Sequence, residues 1–211
     1  MTDYAGAGAG LVYSRGMKAR VRRQGWALAL ALVGAWTAGG CVPYRVVQES
    51  VNPSALKGVR DVTVSYDWTQ VRFSGKTEAE YVAEKKPEER TDHEVVKTEI
   101  DGAILAQLRA EVGAPYTFNV YSAPPGIGEL RLVIQYAEVQ TGLYAYFVSS
   151  PTKVLTRFIW IRDGKVTDMI DADTTVQATM QMNSDHERMT LAGQNLGRAA
   201  ADYFIAKQQG K

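Results

Sequence analysis

Apolar and polar residues alternate along residues 59–73 (VRDVTVSYDWTQVRF), with Val62, Val64, Tyr66 and Trp68 on one parity. Period two predicts a half-buried strand, and Ser74-Gly75 ends it. Two helical stretches follow. Thr77 with Glu80 forms a capping-box pattern that opens a short helix to about Lys85, and Pro87 interrupts it. A second such pattern, Thr91 with Glu94, predicts the start of a longer helix. Its apolar stripe is Val96, Ile100, Ile104, Leu108 and Val112, widened by Val95 and Leu105. Gly113 and Pro115 stop it.

Strand patterns fill most of what remains. Residues 116–121 read as a short strand ended by Ala123-Pro124-Pro125-Gly126, and residues 129–140 alternate at Leu130, Leu132, Ile134 and Tyr136. Residues 153–162 and 165–181 form a hairpin about Asp163-Gly164, a type I′ turn signal. Ser184 with Glu187 predicts the cap of a last helix burying Met189, Ala192, Leu196, Ala199 and Tyr203. Gly193 and Gly197 on the same helix are expected to bring it close to the sheet. The order strand, helix, strands, helix predicts an α+β fold: a mostly antiparallel sheet with two main helices packed on one face.

The N-terminal pattern is different in kind. Lys18, Arg20, Arg22 and Arg23 precede an apolar run from Trp26 to Trp36, which closes on Ala38-Gly39-Gly40 and the chain's one cysteine, Cys41. A cationic start, a short apolar core and small residues before a cleavage point make a secretory signal peptide. The run falls short of the ~20 residues of a spanning helix. Residues 17–40 are therefore expected to be the signal, with Met17 the native start and residues 1–16 a non-native leader. Residues 41–58, interrupted by Pro43 and Pro53, are expected to be a tether, and residues 59–211 one domain.

Small residues directly before a lone cysteine resemble the lipobox of bacterial lipoproteins, with Ala38 where leucine is usual. The resemblance implies cleavage after Gly40 and a lipid on Cys41 that holds the mature chain on a membrane. Val42 and Pro43 include no aspartate of the kind that retains such proteins at the inner membrane, so an outer-membrane anchor facing the periplasm is expected. The order of elements in the rest is similar to the soluble part of the curli-secretion channel lipoprotein and to the N-terminal domain of the Tol translocation protein. That similarity implies action in envelope assembly or transport by protein contact.

Composition narrows the chemistry. Charged residues make up 22% of the chain with a formal net charge of +1, part of it in the signal, so there is no basic face for nucleic acid. The two histidines lie in identical triplets, Asp92-His93-Glu94 and Asp185-His186-Glu187. Both triplets open helices in the patterns above, where acidic side chains favour the helix dipole and face solvent, so no metal site is expected. Asp168, Asp171 and Asp173 split across the two faces of a strand. There is no G-x-S-x-G and no phosphate-cradling glycine loop, so neither an enzyme nor a bound cofactor is expected.

The aromatic connection at residues 141–152 (TGLYAYFVSSPT) adds one contact candidate. In an extended segment Leu143 and Phe147 are expected inside, while Tyr144 and Tyr146 face a partner or a membrane. Arg131, Arg157 and Arg162 speak against a membrane-spanning hairpin of residues 129–162. The expected function is that of a lipid-anchored periplasmic protein with an envelope protein partner. The alternative is a lipoprotein holding a small apolar ligand between sheet and helices.

Overall fold

The computed structural model describes residues 44–50, 53–121, 126–145 and 148–211. The signal-peptide residues, Cys41, Tyr146 and Phe147 lie outside them. The main sheet has the spatial order β1 (Tyr44–Gln48), β10 (Lys165–Val176), β9 (Thr152–Arg162), β6 (Leu130–Gln140), β2 (Asp61–Asp67), β5 (Thr117–Val120). From β1 to β6 the strands are antiparallel, while β2 runs parallel to both β6 and β5. Two short strands, β3 (Arg72–Phe73) and β4 (Lys76–Thr77), hang on the end of β6. A separate ribbon pairs β7 (Leu143–Ala145) with β8 (Val148–Ser150).

Alternation decides which face is core. Leu130, Leu132, Ile134 and Tyr136 of β6 and Val154, Phe158 and Trp160 of β9 are buried, as are Ile170 and Ala172 of β10. Over them lie two long helices, α2 (Pro87–Val112) and α3 (Asp185–Gln208), with the short α1 (Glu78–Ala83) at the side. The fold is α+β with the helices on one face. The Asp163-Gly164 turn has both residues at positive φ, 50° and 73°, as a type I′ turn requires.

Several expectations change in detail. α1 is capped as expected: Thr77 Oγ1 accepts from the Glu80 amide at 3.3 Å, and the Thr77 amide donates to Glu80 Oε2 at 2.8 Å. Pro87, however, does not separate α2 from its start. It is the first residue of α2, where its missing donor costs nothing, and the Lys86 amide before it donates to Glu89 Oε2 at 3.1 Å. Thr91 and Glu94 thus lie inside the helix, and Val95 faces solvent. Ser184 does cap α3 by its backbone, but its side chain makes no capping hydrogen bond.

Gly193 and Gly197 serve a helix contact, not the sheet. A Cβ on Gly197 would stand 2.5 Å from the Ile104 carbonyl oxygen, and one on Gly193 would stand 2.8 Å from the Ile100 oxygen. These glycines let α3 lie against α2. Part of the expected tether also belongs to the domain. Tyr44–Gln48 pair as edge strand β1, Tyr44 meets Tyr203 edge-on at 5.7 Å, and Leu56 is fully buried. Ser50 fixes this segment by donating through Oγ to the buried Asp168 carboxylate at 3.0 Å, and the Tyr203 hydroxyl donates to the same group at 2.9 Å.

Candidate functional site

The helices cover one face of the sheet, and among the described residues no second layer lies over the other. Strand parity puts a row of polar side chains across that outer face: Asp67, Gln135, Arg157, Asp171 and Arg45 from five adjacent strands. Gln135 Nε2 donates to Asp67 at 3.0 Å. Arg157 grips Asp171 with two bonds, at 2.7 and 3.2 Å, and Arg45 adds a third at 2.8 Å. These bonds hold the Asp171 carboxyl below the usual carboxylate range; the Arg157 bond is the main cause. Beside the ladder lies an apolar row, Val133, Ile159 and Met169, directly paired across β6, β9 and β10. Asp171 and Asp173 face outward here while Asp168 is buried under the helices, as the strand period predicts. β6 and β9 are central strands with one face under helices, not a free spanning hairpin.

The layer between sheet and helices is filled among the described residues. Tyr136, Phe158, Trp160, Tyr203 and Phe204 are all buried there, and Trp160 and Tyr203 pack at 5.0 Å. The expected alternative, an apolar ligand held in that layer, finds no room. A hollow of about 600 Å³ lies elsewhere, beside α1, and its lining includes Thr69, Arg72, Thr77, Glu78 and Glu94. That lining is mixed, with Val71, Ala79 and Val82 beside the charged groups.

In the two histidine triplets Asp92, Glu94 and Glu187 are exposed as expected, but the histidines are engaged. His93 is buried within α2, edge-on to Phe73, and its Nε2 lies 3.0 Å from Glu78 Oε1. Glu78, His93 and Glu94 offer ligand atoms within 4.8 Å of one another. Lys97 already brings a positive charge to that spot, 2.6 Å from Glu78 and 3.5 Å from Glu94. The cluster reads as an ion-pair network joining α1 to α2. His186 is equally engaged: Nδ1 lies 2.7 Å from Glu99 and Nε2 lies 2.8 Å from Asp92. These bonds, Glu99 first, raise its pKa against the opposing effect of burial. The sequence repeats Asp-His-Glu, but only the fold brings His186 of the second copy to Asp92 of the first.

Two polar groups, half-buried Asp101 and fully buried Arg188, carry no sequence signature. Asp101 of α2 accepts from Tyr136 Oη at 2.6 Å and from Trp68 Nε1 at 3.3 Å, and burial pushes its pKa up to about 6. Arg188 is fully buried and donates to Thr152 Oγ1 at 3.0 Å, the Met182 carbonyl at 3.0 Å and Asp185. It pins the start of α3 to the base of the β7–β8 ribbon, where Thr152 Oγ1 also donates to the Thr141 carbonyl at 2.5 Å. On the ribbon Leu143 is exposed, against expectation, because β7 pairs only with β8 and has no helix over it. Tyr144 is half-buried. Tyr146 and Phe147, and the residues Ala38, Gly39, Gly40 and Cys41 expected to form a lipobox, lie outside the described residues.

These features define a class: a two-layer α+β domain with a helical side and, among the described residues, an open sheet side. No family profile matches the chain, and no curated protein matches it. Among solved structures it is similar to the PelC dodecamer from Paraburkholderia phytofirmans, at 13% identity and TM-score 0.39, over 74% of this chain and 97% of that one. A leucine-to-methionine form of that dodecamer matches at 14% identity and TM-score 0.33, over 74% and 96%. A further crystal structure, of an uncharacterised protein, matches at 12% identity and TM-score 0.34, over 69% and 90%. Likenesses of this size carry no conclusion about this chain.

Proposed function

We propose that this chain is a lipid-anchored domain of the bacterial envelope that acts without catalysis, by protein contact, in envelope assembly, secretion or transport. Cleavage follows Ala38-Gly39-Gly40, Cys41 carries the lipid, and the domain faces the periplasm from the outer membrane. The observation that supports contact is the one-sided sheet. An apolar row beside a fixed polar ladder offers a partner both area to bury and hydrogen-bonding groups already held in place, which lowers the ordering cost of association.

The experiment is photocrosslinking in intact cells. A photoreactive residue at Ile159 or Met169, both on the outer face, is expected to give a discrete protein adduct. The same residue at Ala106, exposed on α2, is expected to give none. Equal labelling from all three positions, or adducts from Ala106 alone, would remove the outer face as the contact surface.

A further inference from the structure

The position of β1 constrains how the domain meets a membrane. Only Val42 and Pro43 stand between Cys41 and Tyr44, the first residue of β1. Three chain steps reach at most about 10 Å. A lipid on Cys41 therefore brings the start of β1 to within about 10 Å of the headgroup layer. There is no long leash that holds the domain clear of it.

The register of β1 says which end of the sheet comes down. Tyr44 pairs with Ala172 and Gln48 with Met169, so the chain preceding Tyr44 heads toward the Val176 end of β10. At that end Val176 pairs with Thr152, and Lys153 with Gln140, where β6 and β9 leave the sheet for the β7–β8 ribbon. β9 and β6 stand two and three strands from β1, about 10 and 14 Å away at the usual strand spacing. The loop from Val176 into α3 starts at the same end.

Those two segments leave large apolar side chains in the open. Leu143 and Val148 of the ribbon are 53% and 60% exposed, and Met180 of the loop is 74% exposed. Two acidic groups near the loop are paired, Asp185 with Arg188 and Asp92 with His186, while Asp173 and Glu187 remain exposed. Exposed apolar groups at the anchored end suit the boundary between headgroups and acyl chains, where each buried methylene is favourable. Apolar residues are exposed at the far end too, above all Ile127, but the anchor cannot bring that end down.

We infer that the domain docks on the lipid surface by its Val176 end, with Leu143, Val148 and Met180 entering the interface. The strands then rise from the membrane, and the outer sheet face looks along it, toward neighbours in the same plane. This inference rests on the lipid on Cys41 proposed above.

The test uses the full lipidated chain, in vesicles of phosphatidylethanolamine and phosphatidylglycerol. Leu143→Cys, Val148→Cys, Met180→Cys and Ile127→Cys are each labelled with an environment-sensitive fluorophore, and fatty-acid content is read by mass. The first three are expected to shift emission to shorter wavelength and to be quenched by spin-labelled lipid, while Ile127→Cys stays as in water. A lipidated protein whose three ribbon and loop probes behave like Ile127→Cys overturns the docking geometry alone. Absence of fatty acid on the purified chain overturns the anchor, and the docking with it.

Discussion

Gly197 has no room for even one carbon, because a Cβ there would meet the Ile104 carbonyl oxygen on α2. Gly197→Ala is expected to destabilise the domain by about 1–3 kcal/mol, as overpacking does. Gly102 lies on the exposed side of α2 with open space around it, so Gly102→Ala is expected to stabilise by about 0.4–1 kcal/mol. Denaturant midpoints check both, and a Gly197→Ala variant as stable as the parent would contradict the close helix approach. Asp101 makes a second residue-scale prediction. Burial raises its pKa from an ordinary 3.8 to about 6, so the folded state holds this proton more tightly than the unfolded chain. Its contribution to stability is full below pH about 4 and is lost as pH rises to about 6. Asp101→Asn is expected to flatten that part of the stability–pH curve, and an unchanged slope would contradict the assignment.

At the scale of elements, the two long helices are joined by glycine contacts and by the His186 bridge. An imidazolium donates from both ring nitrogens, to Glu99 and to Asp92, whereas the neutral ring donates from only one. The folded-state pKa of His186 is raised above 6.5, so the stabilisation is present below pH 6.5 and is lost as pH rises through the folded value. His186→Gln is expected to lower stability more at pH 5.5 than at pH 8.5. Equal losses at both pH values would show that the charged form adds nothing. The same geometry explains why Ser184 matters less than its sequence pattern suggests. The start of α3 is held by buried Arg188 and by His186, while the Ser184 side chain makes no cap bond.

For the whole molecule, the proposed function predicts that anchor and domain are separable. Among the described residues the buried core runs from Leu56 to Phe204, with Tyr44 packed against it. Cys41→Ala is expected to abolish fatty-acid incorporation and release the protein from membranes, with the melting transition of the domain unmoved. Unchanged membrane fractionation of that variant would contradict the lipid anchor. A large drop in melting temperature would mean that the chain before Tyr44 is part of the fold.

The sequence alone determined what depends on local period and local charge. Leu130 to Tyr136, Asp163-Gly164, Gly113 and the α3 stripe from Met189 to Tyr203 were legible because period two, period 3.6 and positive φ leave marks on neighbouring residues. The export pattern around Cys41 is a sequence expectation that lies outside the described residues. Tertiary structure alone decided the rest. Nothing local tells that β2 pairs in parallel with β6 and β5, or that Tyr44–Gln48 closes the sheet edge, because pairing partners lie far along the chain. Pro87 and Thr91 are each acceptable helix starts by propensity, and the Glu89 bond to the Lys86 amide settled the earlier one. The histidine triplets looked alike in sequence, but His93 faces the core and His186 spans two helices. The docking end proposed above rests on the register of β1 on β10, since register converts a chain distance of three residues into a direction in space.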